Sequence, residues 1–226
     1  MTGMLRRINP LLVFGSAVAV TVTVVAALVS TQAAPARFHV AHLSPDAPAI
    51  DVYVDNVLVE SGLTFGQVGP VQTNGKSGPM IVAVRLAGTA PTAVPVLTAE
   101  VILNPGTTYI VAVANELARL QIGHYPVPTA GMVAAHGRLQ VLHALPGGPR
   151  LDVTTGQAVS IVDGLGYLED PPYKDLPDGQ YRLLGTTETD PSVLAFDETY
   201  MFEANTVYTL IVTGQPVKTI LVATTP

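Results

Sequence analysis

The densest group of side chains able to do chemistry is His42, Pro45, Asp46, Pro48 and Asp51. An imidazole close in sequence to a carboxylate has three uses: an acid–base pair, part of a metal site, or a brace across a turn. Ser44 adds the third residue type of a hydrolytic triad, although a triad is recognised by geometry and not by proximity in sequence. His39 and His42 stand three apart, so in a strand they point to opposite faces and cannot share an ion. Pro45 and Pro48 fix the backbone of a bent loop between two strands. Bracing is the expected role. His42 satisfies both ring nitrogens internally, and Asp51 accepts backbone N–H groups or the imidazole N–H. No catalytic residue, metal or cofactor is expected.

The same pattern returns 101 residues later as His143, Pro146, Pro149 and Asp152, preceded by Arg138 where the first copy has Arg37. Leu145 replaces Ser44 and Gly147 replaces Asp46. What both copies keep is read as fold, and what one copy loses cannot be essential chemistry for both. Further landmarks repeat with small drifts, Leu63 and Phe65 with Leu165 and Tyr167, and Tyr109 with Tyr208. Each of those last tyrosines is expected to pack its ring and tie its hydroxyl to a nearby loop backbone. A second candidate is the acidic, Pro-stiffened stretch of Glu169, Asp170, Tyr173, Asp175 and Asp178. It reads as a recognition loop, or more simply as a turn whose Tyr rings cover a sheet edge. Neither it nor the first copy's carboxylates has calcium-loop spacing.

The elements that must hold these groups are short strands. Runs rich in Val, Ile, Leu, Tyr and Thr at 38–43, 49–54, 79–86, 94–103, 107–114 and 119–123 are punctuated by Pro, Gly and Asn. That rhythm predicts an all-β chain of sandwich type. The repeat divides it into domains at 37–124 and 138–224, joined by a Pro/Gly/Ala linker at 125–137. Two beads in a fixed or semi-fixed line are expected.

Residues 11–30 carry no charge and follow Arg6 and Arg7. As a helix they would span about 30 Å, one hydrocarbon thickness. Residues 1–36 therefore read as a cleaved signal peptide or a retained anchor, with the basic end inside and the C-terminus outside. Membrane contact is expected only through 11–30 and only if that segment stays. The 226-residue chain has no Cys, which excludes disulfides, thiol chemistry and a lipid-modified Cys. With 11 basic against 17 acidic residues, nucleic-acid binding is not expected. No nucleophile elbow, phosphate loop, dinucleotide fingerprint or zinc-protease motif occurs.

His42-Leu-Ser-Pro-Asp-Ala-Pro-Ala-Ile-Asp-Val-Tyr53 resembles the opening of a bacterial exported domain family of unknown function, whose signature reads His-Ala-Ser-Pro-Asp-Ala-Pro-Ala-Val-Asp-Val-Tyr. Leu63–Val68 and Asn104–Tyr109 are similar to its later landmarks. The resemblance implies tandem immunoglobulin-like antiparallel β-sandwiches on secreted or surface proteins, and carries over no catalytic residue. The expected function is a non-enzymatic extracytoplasmic binding or envelope-structural module. Its partner would be an extracellular or envelope protein, or a glycan. The alternative is a secreted hydrolase or accessory sensor subunit, with a site near His42 and Asp51 or in the loop 163–178.

Overall fold

The computed structural model describes residues 34–73 and 77–225. The expected N-terminal helix, with its leader or anchor role, falls on residues outside that range apart from 34–36. Among the described residues no helix is long and apolar enough to cross a membrane. The first half contains β1 (Arg37–Leu43), β2 (Ile50–Val54), β3 (Val57–Leu63), β4 (Gln72–Thr73), β5 (Gly78–Leu86), β6 (Leu97–Leu103), β7 (Thr108–Ala114) and β8 (Gln121–Val127). A single 3-10 turn, Leu117–Arg119, precedes β8. The second half contains β9 (His136–Ala144), β10 (Leu151–Thr155), β11 (Ser160–Leu165), β12 (Tyr173–Pro177), β13 (Gly179–Thr187), β14 (Asp190–Phe202), β15 (Val207–Thr213) and β16 (Lys218–Thr224).

Each half builds two four-stranded sheets. The orders are β4-β1-β7-β8 and β3-β2-β5-β6 in the first, β12-β9-β15-β16 and β11-β10-β13-β14 in the second. Strand for strand, the two halves have one topology. The pairing is not wholly antiparallel: β1 runs parallel to β7, and β9 parallel to β15. The chain leaves β1 for the opposite sheet and returns to β7 from that sheet, a crossover that permits parallel entry. Parallel strands are usually covered on both faces, and here all seven residues of β7 and of β15 are buried.

That double burial has a cause in the sequence. On β1 and β7, Phe38, Val40, Tyr109, Val111 and Val113 face the first sandwich core. Their neighbours Ala41, Leu43, Ile110 and Ala112 point the other way, into a core shared with Leu142 and Ile211 of the second half. The two central sheets therefore pack back to back, and the described chain is a four-layer stack with three apolar interiors. The two domains, expected in a fixed or semi-fixed line, share an apolar core, and strands take in both ends of the expected linker 125–137. β8 continues to Val127 and β9 begins at His136, and Tyr125 and Val127 lie in the shared core. Burial by the facing sheet recruited a segment that its prolines made look like a connector.

Bulk is exchanged between the two faces of the shared core. Ala41 and Leu43 of the first copy correspond to Leu142 and Ala144 of the second, and Ala112 corresponds to Ile211. Alternating large and small side chains lets two faces interdigitate at native density. The shared core predicts that both sandwiches unfold together. Ile110→Ala, at a fully buried position, should cost about 2–5 kcal/mol and lower one cooperative transition in a calorimetric scan. Two separate transitions, with only one of them displaced, would contradict it.

Candidate functional site

His42 is fully buried at the end of β1. The backbone N–H of Ser44 donates to its Nδ1 at 3.3 Å, and its Nε2 lies 3.0 Å from the Pro48 carbonyl oxygen. Because a backbone N–H can only donate, Nδ1 is the acceptor and Nε2 carries the proton. His143 repeats this: Leu145 N–H donates to Nδ1 at 3.2 Å, and Nε2 donates to the Pro149 carbonyl at 2.8 Å. In both copies the carbonyl six residues on closes the loop onto the ring, and the proline that carries it fixes φ there. Ser44 can become Leu145 because only its backbone N–H takes part.

Asp51 does not reach the imidazole. Its Oδ1 accepts from Gly62 N–H at 2.8 Å and from the Ser61 hydroxyl at 3.0 Å. Asp152 Oδ1 likewise accepts from Gly164 N–H at 2.7 Å. Both glycines sit in bulges opposite the aspartate, with φ of 65° and 61°. The unpaired bulge N–H is what the carboxylate satisfies, and the positive φ is what calls for glycine. Asp46 reaches away from the ring, accepting from Leu117 N–H at 2.7 Å and from the Ser44 hydroxyl. Pro45 is exposed and Pro146 half-buried, at the turns after each histidine. Tyr109 and Tyr208 accept from the backbone N–H five residues upstream, Asn104 and Glu203, at 3.1 and 2.9 Å.

Each histidine ring meets an aromatic edge-on, His42 with Phe65 and His143 with Tyr167. Those two aromatics reach across the shared core in matching ways. The Phe65 ring lies 3.1 Å from where a Cβ on Gly214 would sit, and Tyr167 lies against Asn115 and Gln121 of the first sandwich. Burial pushes the Tyr167 hydroxyl up to about 12. Tyr125 of the first sandwich donates to the Leu168 carbonyl of the second at 3.2 Å.

The acidic stretch is not one free loop, since 173–177 form the edge strand β12. Asp175 pairs with both arms of the Arg138 guanidinium at 2.6 and 2.9 Å. The remaining N–H groups of that nearly buried guanidinium donate to the carbonyls of Pro128, Ala130 and Gly131, so all five are used. This hydrogen bonding to Arg138 holds the Asp175 carboxyl below its ordinary range. Glu169 is held low chiefly by a two-bond pair with Arg150. Asp178 contributes its backbone N–H to the Ala135 carbonyl. Tyr173 and Asp170 remain turned to solvent.

Those last two line a groove of about 440 Å³ where the sandwiches meet. Tyr173 lies on Arg138, with the guanidinium carbon 4.2 Å from the ring centroid. Opposite are His124, Pro126 and Pro128, on or just after β8, while Ile102 and Pro171 add apolar ledges. Asn104, Gln140 and Asp170 supply polar edges. Sequence reasoning missed the β8 wall because 125–137 read as linker. The alternation through Ile122, His124 and Pro126 was the available signal. Among the described residues no three His, Cys, Asp or Glu side chains cluster as metal ligands do.

The chain belongs to the family described as a domain of unknown function, DUF4397, whose model matches residues 36–154 and again 137–225. No curated protein matches it in sequence. Among solved structures it is similar to the Bacillus anthracis TIE protein, at 16% identity and a TM-score of 0.25, covering 78% of this chain and 33% of that one. This chain thus spans a third of that protein's length. It is also similar to family 41 carbohydrate-binding modules from streptococcal virulence factors, at 11% identity, TM-score 0.26 and coverages of 77% and 93%. A third likeness is to a Bacteroides uniformis protein described as a candidate cell adhesion protein, at 9% identity, TM-score 0.27 and coverages of 84% and 98%. All three likenesses are distant.

Burial holds both His42 and His143 below the ordinary 6.5, against the opposing pull of the proline carbonyls. Below 6.5 the unfolded chain therefore binds more protons than the folded one. Stability is complete above that pH and declines as pH falls through it toward the folded values. The double variant His42→Gln/His143→Gln should lose this acid slope, read from urea midpoints at about pH 7.5 and about pH 5. An unchanged slope would place the pH dependence elsewhere.

Proposed function

We propose that the chain is a non-enzymatic, extracytoplasmic binding module whose ligand site is the groove between its two sandwiches. The observation that carries this reading is the groove itself. It combines a solvent-facing Tyr173 ring, proline ledges and convergent Asn104 and Asp170 in a volume of about 440 Å³. Small-molecule sites have this mix of apolar wall and a few polar groups, within roughly 300–1,000 Å³. Its walls come from both halves, which accounts for a tandem arrangement held by a shared core instead of two separate beads.

The non-enzymatic part rests on His42 and His143, the two histidines that the repeat keeps. A general base needs a ring nitrogen within reach of substrate, and in both repeats each ring nitrogen is engaged inside its own domain. The extracytoplasmic part rests on residues 1–36, where Arg6 and Arg7 precede the uncharged stretch 11–30. Such a segment sends the chain beyond it outward whether it is cleaved or kept. The partner is a component met outside the cytoplasm, an envelope protein or a glycan.

The test is saturable binding of the full-length chain to isolated cell envelopes. Tyr173→Ala should weaken it by about tenfold, while Val193→Ala, exposed on β14 of the outer sheet, should leave it intact. Equal binding by all three forms would remove the groove from the function.

A further inference from the structure

Resting on the reading of the groove as a binding site, we propose that its ligand is a neutral carbohydrate stacked on Tyr173. The internal repeat has kept this site on one side of the molecule only. The repeat makes two junctions between the sandwiches. At one, β8 meets β9 and β12; at the other, the end of β16 meets β1 and the segment before β4. The strand registers fix which residues correspond. Tyr109 pairs with Pro126 as Tyr208 pairs with Ala223, so Pro126 matches Ala223. Asp175 pairs with Arg138 as Thr73 pairs with Arg37, so Tyr173 matches Val71. Gln140 matches His39 by the same offset that relates the histidines.

The second junction is a hollow of about 160 Å³ lined by Val71, His39 and Ala223, against about 440 Å³ at the first. One scaffold therefore closes well without the aromatic ring or the prolines. The fold does not require them at the first junction, and a ligand does. Both equivalent seams are present in one chain, so each serves as the other's control.

The lining selects the ligand. Tyr173 is 54% exposed, with one face against a guanidinium whose five N–H groups are all bonded. It is a fixed flat plate with the other face open, suited to the C–H face of a sugar ring and costing little side-chain entropy on binding. Around it, Asn104 and His124 can donate to and accept from neighbouring hydroxyls, and the Asp170 carboxylate accepts from them. Asp170 is the one formal charge among the lining residues and no Lys or Arg is among them, so an anionic ligand finds no counter-charge. A peptide adding as a strand is disfavoured because Pro126 and Pro128 remove N–H donors from the β8 wall.

The test measures binding of the full-length chain to arrayed neutral di- to tetrasaccharides, their sulfated and sialylated counterparts, and a proline-rich peptide. Neutral sugars should bind, Tyr173→Ala should weaken them by about tenfold or more, and Tyr173→Phe, which keeps the plate, should restore them. Val71→Ala at the second junction should change nothing. Sugar binding that survives Tyr173→Ala or falls with Val71→Ala would overturn the assignment of the site. Preference for anionic sugars or for the peptide, still dependent on Tyr173, would overturn the ligand class while leaving the groove as a binding site. Envelope binding that depends on Tyr173 but is not competed by any neutral sugar would do the same. If neither envelopes nor arrayed ligands respond to Tyr173, the binding-module reading falls too.

Discussion

A neutral imidazole can give a proton at one nitrogen and take one at the other, and a fully buried one must do both. His42 and His143 meet that constraint with the same two backbone partners, an N–H two residues on and a proline carbonyl six residues on. The ring thus sets the path of the loop that carries the chain from one sheet to the other. A charged ring would present a proton to the N–H that now donates to it. The same loop delivers the aspartate that fills the bulge of the next hairpin, at Gly62 and Gly164. The histidine ring also makes an edge-to-face contact with Phe65 or Tyr167, the side chains that cross to the other sandwich. Loop, bulge and interface are one connected device, built twice.

The stack follows from that device and from burial on both faces of the central sheets. Duplicated sandwiches start with identical surfaces, and identical surfaces pair as readily between molecules as within one. Exchanging bulk at positions 41, 43 and 112 against 142, 144 and 211 makes the two faces complementary to each other. The tethered partner is then favoured by its high effective concentration. Arg138 extends the same logic. It gathers the connector carbonyls, the β12 carboxylate and the Tyr173 ring onto one buried cation. The groove is consequently built on rigid parts.

Much of this was legible in the residues. In the first half, the punctuated runs of β-branched and aliphatic residues give strands close to β1, β2, β5, β6, β7 and β8. β3 was missed although Asp55-Asn56, both at positive φ, form the turn that opens it. The 101-residue offset marks His42, Asp51 and their mates, because a motif copied with its fold keeps its hydrogen-bonding types. What could not be read was the partner of each face. Ala41 and Ile110 look like ordinary strand residues until a second sheet covers them. Tyr173 looks like part of an acidic loop until Arg138, 35 positions earlier, pairs with its neighbour Asp175. The groove is a product of tertiary packing: the alternation through His124 and Pro126 marks one wall, and nothing in the chain pairs that wall with Tyr173.

Loop, bulge and interface all depend on the protonation state of two rings, and nitrogen-15 NMR of the histidine side chains in the full-length protein reads it directly. Both His42 and His143 should appear with the proton on Nε2 and a bare Nδ1, and should remain so when pH is lowered past the ordinary histidine midpoint of 6.5. A proton on Nδ1, or either ring charging at that ordinary midpoint while the chain stays folded, would contradict it.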